Sequence, residues 1–256
     1  MAVVCFQYIT FLKFDITVDY ILLLFSFCSS LIAYNFIKYS EIVFFKTQKK
    51  SNSLKLICFL TIISILICLT ITPKLTSSAL VLLFVISLLT VFYIFPFNSV
   101  NKNLRKRPGL KIFIVAIVWS LLIVVLPTVN FNYVLDASLL IYFVQILTFV
   151  VVIILPFEIR DLKFDSIKLK TIPQLLGLKK TKQLAYLLLI FFLSMNFVIQ
   201  SPSMVYLISD FIIALFTAYL ICITKENQAK HFASFGVESI PILWLLIIFC
   251  LELSIG

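Results

Sequence analysis

Apolar residues run along this chain in long stretches, interrupted at intervals by polar or basic segments. Eight stretches, at about 17–37, 54–72, 75–95, 112–129, 138–157, 184–200, 205–224 and 240–255, are long enough, or nearly so, to cross a hydrocarbon core of about 30 Å as α-helices. Ahead of them lies Ala2–Leu12, apolar but too short to span. It reads either as a re-entrant piece or as the remnant of a ninth helix. No basic segment precedes it and no small-residue cleavage site follows it, so it does not read as a cleavable signal.

The connections alternate in length and charge. Those after the first, third, fifth and seventh spans are long, at about 38–53, 96–111, 158–183 and 225–239, and those between are short. Of 21 Lys and Arg residues, all but Lys13 and Lys74 belong to the long connections or the span ends beside them. Asp15, Asp19 and Asp136 fall on the opposite side. The positive-inside rule places the four long loops in the cytoplasm. Both termini of an eight-span chain then lie outside, and the amino terminus moves inside if Ala2–Leu12 is a first helix.

Composition agrees with this reading. Hydrophobic residues make up 62% of the chain and charged residues 12%, and the mean hydropathy is +1.17. No water-soluble domain of this length covers so much apolar surface, and the scarcity of Gly and Pro favours long helices over short alternating strands. The expected fold is an all-α, polytopic transmembrane bundle forming one helical domain over 1–256, with 1–15 as a candidate truncated first helix. The net charge of +10 reports topology, and no soluble basic module is present to bind nucleic acid. The six cysteines lie in apolar runs without metal-ligand spacing, and His231 is the one histidine, which excludes mechanisms needing a pair.

Chemistry concentrates in Phe157-Glu158-Ile159-Arg160-Asp161-Leu162-Lys163-Phe164-Asp165, where an apolar run breaks into charge. Glu158, Asp161 and Asp165 stand at i, i+3 and i+7, so a helix carries their carboxylates on one face. Arg160 and Lys163 are expected on other sides, leaving the acids to a divalent cation, Mg²⁺ above all, held together with substrate phosphates. The alternative is a solvated acidic helix end. Basic residues surround this cluster: Lys38 in the first long loop, Arg105 and Arg107 in the second, Lys170 in the third. They suit the phosphate charge left over by the metal, or else serve orientation and anionic headgroups. Asp210, inside a span, is a further candidate, or a bundle-facing polar residue satisfied by Ser209 and Ser203.

The segment Glu158-Ile-Arg-Asp161-Leu-Lys-Phe-Asp165, followed by Lys170-Thr171-Ile172-Pro173 and Leu176-Gly177, resembles the second aspartate-rich motif of the UbiA superfamily of intramembrane prenyltransferases. Tyr93 with Arg105-Lys106-Arg107-Pro108 is similar to a Tyr…Lys-Arg segment of that family, and Asn35 stands where its first motif opens. The resemblance implies a UbiA-like helical bundle around a cavity, in which Mg²⁺ on a polyprenyl diphosphate promotes ionisation and an aromatic or lipid acceptor captures the carbocation. It assigns metal ligation to Glu158, Asp161 and Asp165, with Asp161 and Asp165 catalytic. Diphosphate contacts fall to Lys170, Lys38, Arg105 and Arg107.

The first motif is degenerate. After Asn35 the expected carboxylates are replaced by Phe36, Tyr39 and Val43, and Glu41 is out of register. The glycine expected between Asp165 and Thr171 is also absent. Two functions compete on this pattern: an Mg²⁺-dependent membrane prenyltransferase, and a non-catalytic UbiA-fold protein that binds an isoprenoid, a lipid or a protein partner. A transporter is disfavoured, because no paired intramembrane charges and no matching broken helices are evident. The expected location is a bacterial cytoplasmic membrane.

Overall fold

The computed structural model describes residues 1–45, 52–94, 109–163, 169–198, 203–228 and 232–255. Among them nine helices follow one another: α1 Ala2–Lys13, α2 Tyr20–Phe45, α3 Asn52–Ile71, α4 Ser77–Ile94, α5 Leu110–Asn130, α6 Ala137–Asp161, α7 Ile172–Ser194, α8 Met204–Ile223 and α9 Ile240–Ile255. Seven of these regions are long and apolar enough to cross a membrane; α1 is too short, and α7 begins in lysine-bearing sequence. The all-helical polytopic fold expected from the sequence is therefore present. The connection expected over 158–183 is corrected in part. Helix α7 already starts at Ile172, because Thr171 caps it and Pro173 fits a first helical turn, where its missing N–H costs nothing. Thr171 N–H donates to Gln174 Oε1 at 3.0 Å, and a left-handed Gly177 (φ 74°) sets off this first turn from the long part of α7.

Helix α6 is the hub. It packs between α5 and α7; α8 lies between α7 and α9, and α9 returns to α1. Within the spanning segments 61% of α6 is buried, against 17% for α3 and α4, whose Leu56, Phe59, Val81 and Phe84 face outward as lipid-facing residues do. In the centre, Phe6, Phe149, Phe192 and Trp244, from four different helices, are fully buried and meet mostly edge to face, with centroids 4.9–6.1 Å apart.

The short α1 is a core element, with Phe6, Ile9 and Phe11 buried against α2, α5 and α9. Its Gln7 also completes the backbone of α5. That helix widens into a π turn at Leu121–Val125, where Leu126 N–H bonds to Leu121 O. The next residue is Pro127, which has no N–H, so Leu122 O is left without a donor from its own helix. Gln7 Nε2 donates to it at 3.4 Å. The segment read as re-entrant or remnant is thus a 12-residue helix in the heart of the bundle.

Candidate functional site

The acidic segment closes α6 on the basic side. The helix ends at Asp161, so Glu158 and Asp161 share its last turn one helical step apart. Asp165, Arg105 and Arg107 lie outside the described residues, as does the side chain of Glu41. Glu158 is buried at 4% exposure and meets Lys111 Nζ of α5 at 2.9 Å. Gly109 makes this approach possible. It sits left-handed at φ 71° ahead of α5, and its N–H donates to Leu169 O at 3.3 Å, drawing the start of α5 against the segment that leads into α7. The three segments enclose a small crevice with room for about one water molecule, lined by Lys111, Glu158, Leu169 and Thr171.

Asp161 is half-buried, and Arg160 Nε donates to its Oδ1 at 2.8 Å while the guanidinium lies 5.3 Å from the Phe157 ring. Two expectations are corrected here. Arg160 reaches the acidic face despite its position on the helix, because a long side chain folds back along a half-exposed turn. Glu158 and Asp161 are consequently ion-paired, with Lys111 and Arg160 respectively. Among the described residues no group of three metal-ligating side chains assembles.

Helix α2 presents a different set. Asn35 Nδ2 donates to Thr61 Oγ1 of α3 at 2.9 Å, which ties it to a neighbouring helix. Lys38 Nζ donates to Tyr34 Oη at 3.1 Å and lies 5.3 Å from the ring centres of both Tyr34 and Tyr39. Glu238, ahead of α9, is within electrostatic reach of Arg160 and of Lys38. Lys170 is exposed and left-handed at φ 44°, where a glycine would sit without strain.

A second polar cluster lies towards the other side of the bundle. Asp210 is 2% exposed and faces Lys13 Nζ at 3.8 Å. The same ammonium donates to Gln145 Oε1 at 3.3 Å and sits 4.6 Å from the Tyr142 ring. Gln145 Nε2 has Asn196 Oδ1 at 3.0 Å, Phe192 O at 3.2 Å and Asp210 Oδ2 at 3.3 Å. The expectation that no intramembrane charges pair is corrected, and so is the partner set of Asp210. Ser209 instead accepts from Trp244 Nε1 at 3.4 Å. The signal available in the sequence was Gln145 and Asn196, two amides inside apolar runs.

The whole arrangement superimposes on solved structures of a UbiA homolog from Archaeoglobus fulgidus, one of them bound to GPP and Mg²⁺. Each matches with a TM-score of 0.50 at 11% identity, over 98% of this chain and 87% of the other. The chain has a UbiA-like fold. No family model matches the sequence, and no curated protein does. In this UbiA-like fold the acidic end of α6 holds two ion pairs, Glu158 with Lys111 and Asp161 with Arg160.

Proposed function

We propose that this protein is a UbiA-like, Mg²⁺-dependent membrane prenyltransferase. It would move a prenyl group from a polyprenyl diphosphate to an aromatic or lipid acceptor. The observation that carries this reading is the Glu158–Asp161 turn with Lys111 and Arg160 beside it, in a fold shared with a homolog bound to GPP and Mg²⁺.

Carboxylate oxygens one turn apart suit a hard cation such as Mg²⁺, which would be held together with the diphosphate. Glu158, Asp161 and Asp165 are the residues that would hold Mg²⁺, and the ion would supply positive charge at the leaving diphosphate. Lys111 and Arg160 neutralise the acids in the substrate-free site. On substrate binding they turn to phosphate oxygens, so no charge is left buried alone in either state. Lys38, Lys170, Arg105 and Arg107 add further charge-assisted bonds. The allylic C–O bond breaks with its electron pair going to diphosphate, and the acceptor captures the cation and releases a proton. The apolar walls of the bundle keep water from that cation. The chain acts as one helical domain, with its basic loops in the cytoplasm of a bacterial cell.

The test is transfer of labelled prenyl groups, C10 upward, by purified protein with and without Mg²⁺. Asp161→Asn is expected to lower the rate by about two orders of magnitude. Inactivity at every chain length, or a rate untouched by Asp161→Asn, would overturn the reading.

A non-catalytic, isoprenoid-binding role is favoured by one observation: Phe36, Tyr39 and Val43 stand where a second carboxylate set would be. Activity that arises only after all three are changed to Asp would establish it.

A further inference from the structure

In the second polar cluster the groups that surround the charge and the charge itself come from different parts of the chain. Tyr142 and Gln145 stand one turn apart on α6, and so do Tyr206 and Asp210 on α8. Gln145 Nε2 donates to Phe192 O on α7, to Asn196 Oδ1 just beyond it and to Asp210 Oδ2. These bonds join the three helices and fix the amide, so that its oxygen is turned the other way. There the Lys13 ammonium meets Gln145 Oε1 at 3.3 Å and Asp210 Oδ2 at 3.8 Å, with the Tyr142 and Tyr206 ring centres at 4.6 and 5.8 Å. All of these partners belong to α6 and α8; α1 supplies the ammonium, from its last residue. The partners also select the kind of cation. One carboxylate with a neutral amide oxygen falls well short of the six or more oxygens that Mg²⁺ or Ca²⁺ takes. Two aromatic rings suit an organic ammonium, and the amide oxygen needs an N–H donor, which a quaternary ammonium lacks. The Lys13 side chain is 11% exposed, so the site reaches the edge of the bundle.

We propose that α6, α7 and α8 form a binding site for a primary ammonium group, which Lys13 fills as a ligand tethered by α1. A soluble alkylammonium and the docked end of α1 then exclude one another. The tether presents Lys13 at an effective concentration of about millimolar or above, so a free amine enters readily only when the lysine is gone. The site is separate from the acidic end of α6 and does not depend on the prenyl-transfer reading.

The probe is propylammonium, which replaces the atoms that Lys13→Ala removes. The full chain in detergent is compared as wild type, Lys13→Ala, Lys13→Ala/Asp210→Asn and Lys13→Ala/Gln145→Leu. Equilibrium dialysis measures binding of labelled propylammonium at constant ionic strength, and thermal unfolding is followed in propylammonium, tetramethylammonium or sodium chloride. Lys13→Ala is expected to show a single saturable site and a rise in unfolding temperature with propylammonium alone. Binding should be about tenfold weaker or more in the wild type and in both double variants. No saturable binding to Lys13→Ala would overturn the proposal, as would equal binding to the wild type or to Lys13→Ala/Asp210→Asn. Tetramethylammonium acting as well as propylammonium would show that the assigned class of cation is wrong. If Lys13→Ala aggregates, its purification in propylammonium becomes the readout. Folded protein obtained there and not in sodium chloride supports the site, and aggregation in both overturns it.

Discussion

Single side chains decide the electrostatics of this site. Glu158 is buried, and Lys111 is what makes its charge tolerable there. Lys111→Met should therefore destabilise the protein by about 3 kcal/mol, read from unfolding in detergent. Adding Glu158→Gln should return most of that loss, because the buried negative charge that faced Lys111 is then removed as well. A double variant as unstable as the single one would show that the two groups are not coupled. Glu158 was legible in the sequence as part of an acidic face, but its partner was not. Lys111 stood only as one of five bases in a loop, and nothing in the chain's order marks which of them a left-handed Gly109 carries to α6. Spacing on one helix also left Arg160 off the acidic face, since a rule about Cβ directions says nothing about a side chain long enough to fold back.

Among the elements, α1 has the least obvious support. Twelve residues rise about 18 Å and cannot span a bilayer, so its place must come from side-chain contacts. Phe6 and Phe11 pack its faces, Gln7 caps an open carbonyl of α5, and Lys13 pairs with Asp210 at its end. Asp210→Ala leaves the Lys13 ammonium buried without its counter-ion, and a loss of about 3 kcal/mol is expected. Helix α1 should also loosen. The readout is maleimide labelling of Cys5, half-buried on α1, in a background with the other five cysteines changed to Ser. Faster labelling in Asp210→Ala and recovery in Lys13→Leu/Asp210→Leu would follow from an anchoring role. Unchanged labelling would place the anchor of α1 in its aromatic packing alone.

For the molecule as a whole, charge asymmetry is the governing feature. The ends of α2, α4, α6 and α8 carry nearly all the bases, and the opposite turns carry Lys74 with Asp19 and Asp136. The last two have local work: Asp19 accepts from Ile21 N–H at 2.8 Å and caps α2, and Asp136 accepts from Leu139 N–H at 2.8 Å and caps α6. With the basic side in the cytoplasm, single cysteines at Lys74 and Lys179 should be labelled by an impermeant reagent from opposite faces, Lys74 from outside intact cells. Labelling of both from one face would contradict the helix order itself.

The order of the spans and the charge difference between the two sides were determined by the sequence alone. Hydrocarbon admits only backbone that bonds within its own segment, so a long apolar run in a chain poor in glycine and proline has one outcome. The acidic end of α6 was legible for a similar reason, since its spacing is local. What only the tertiary structure decided depends on residues far apart in the chain. The burial of α1, the Lys13–Asp210 pair and the Lys111–Glu158 pair all arise where helices meet. Their geometry is set by packing, which pattern along one helix does not encode.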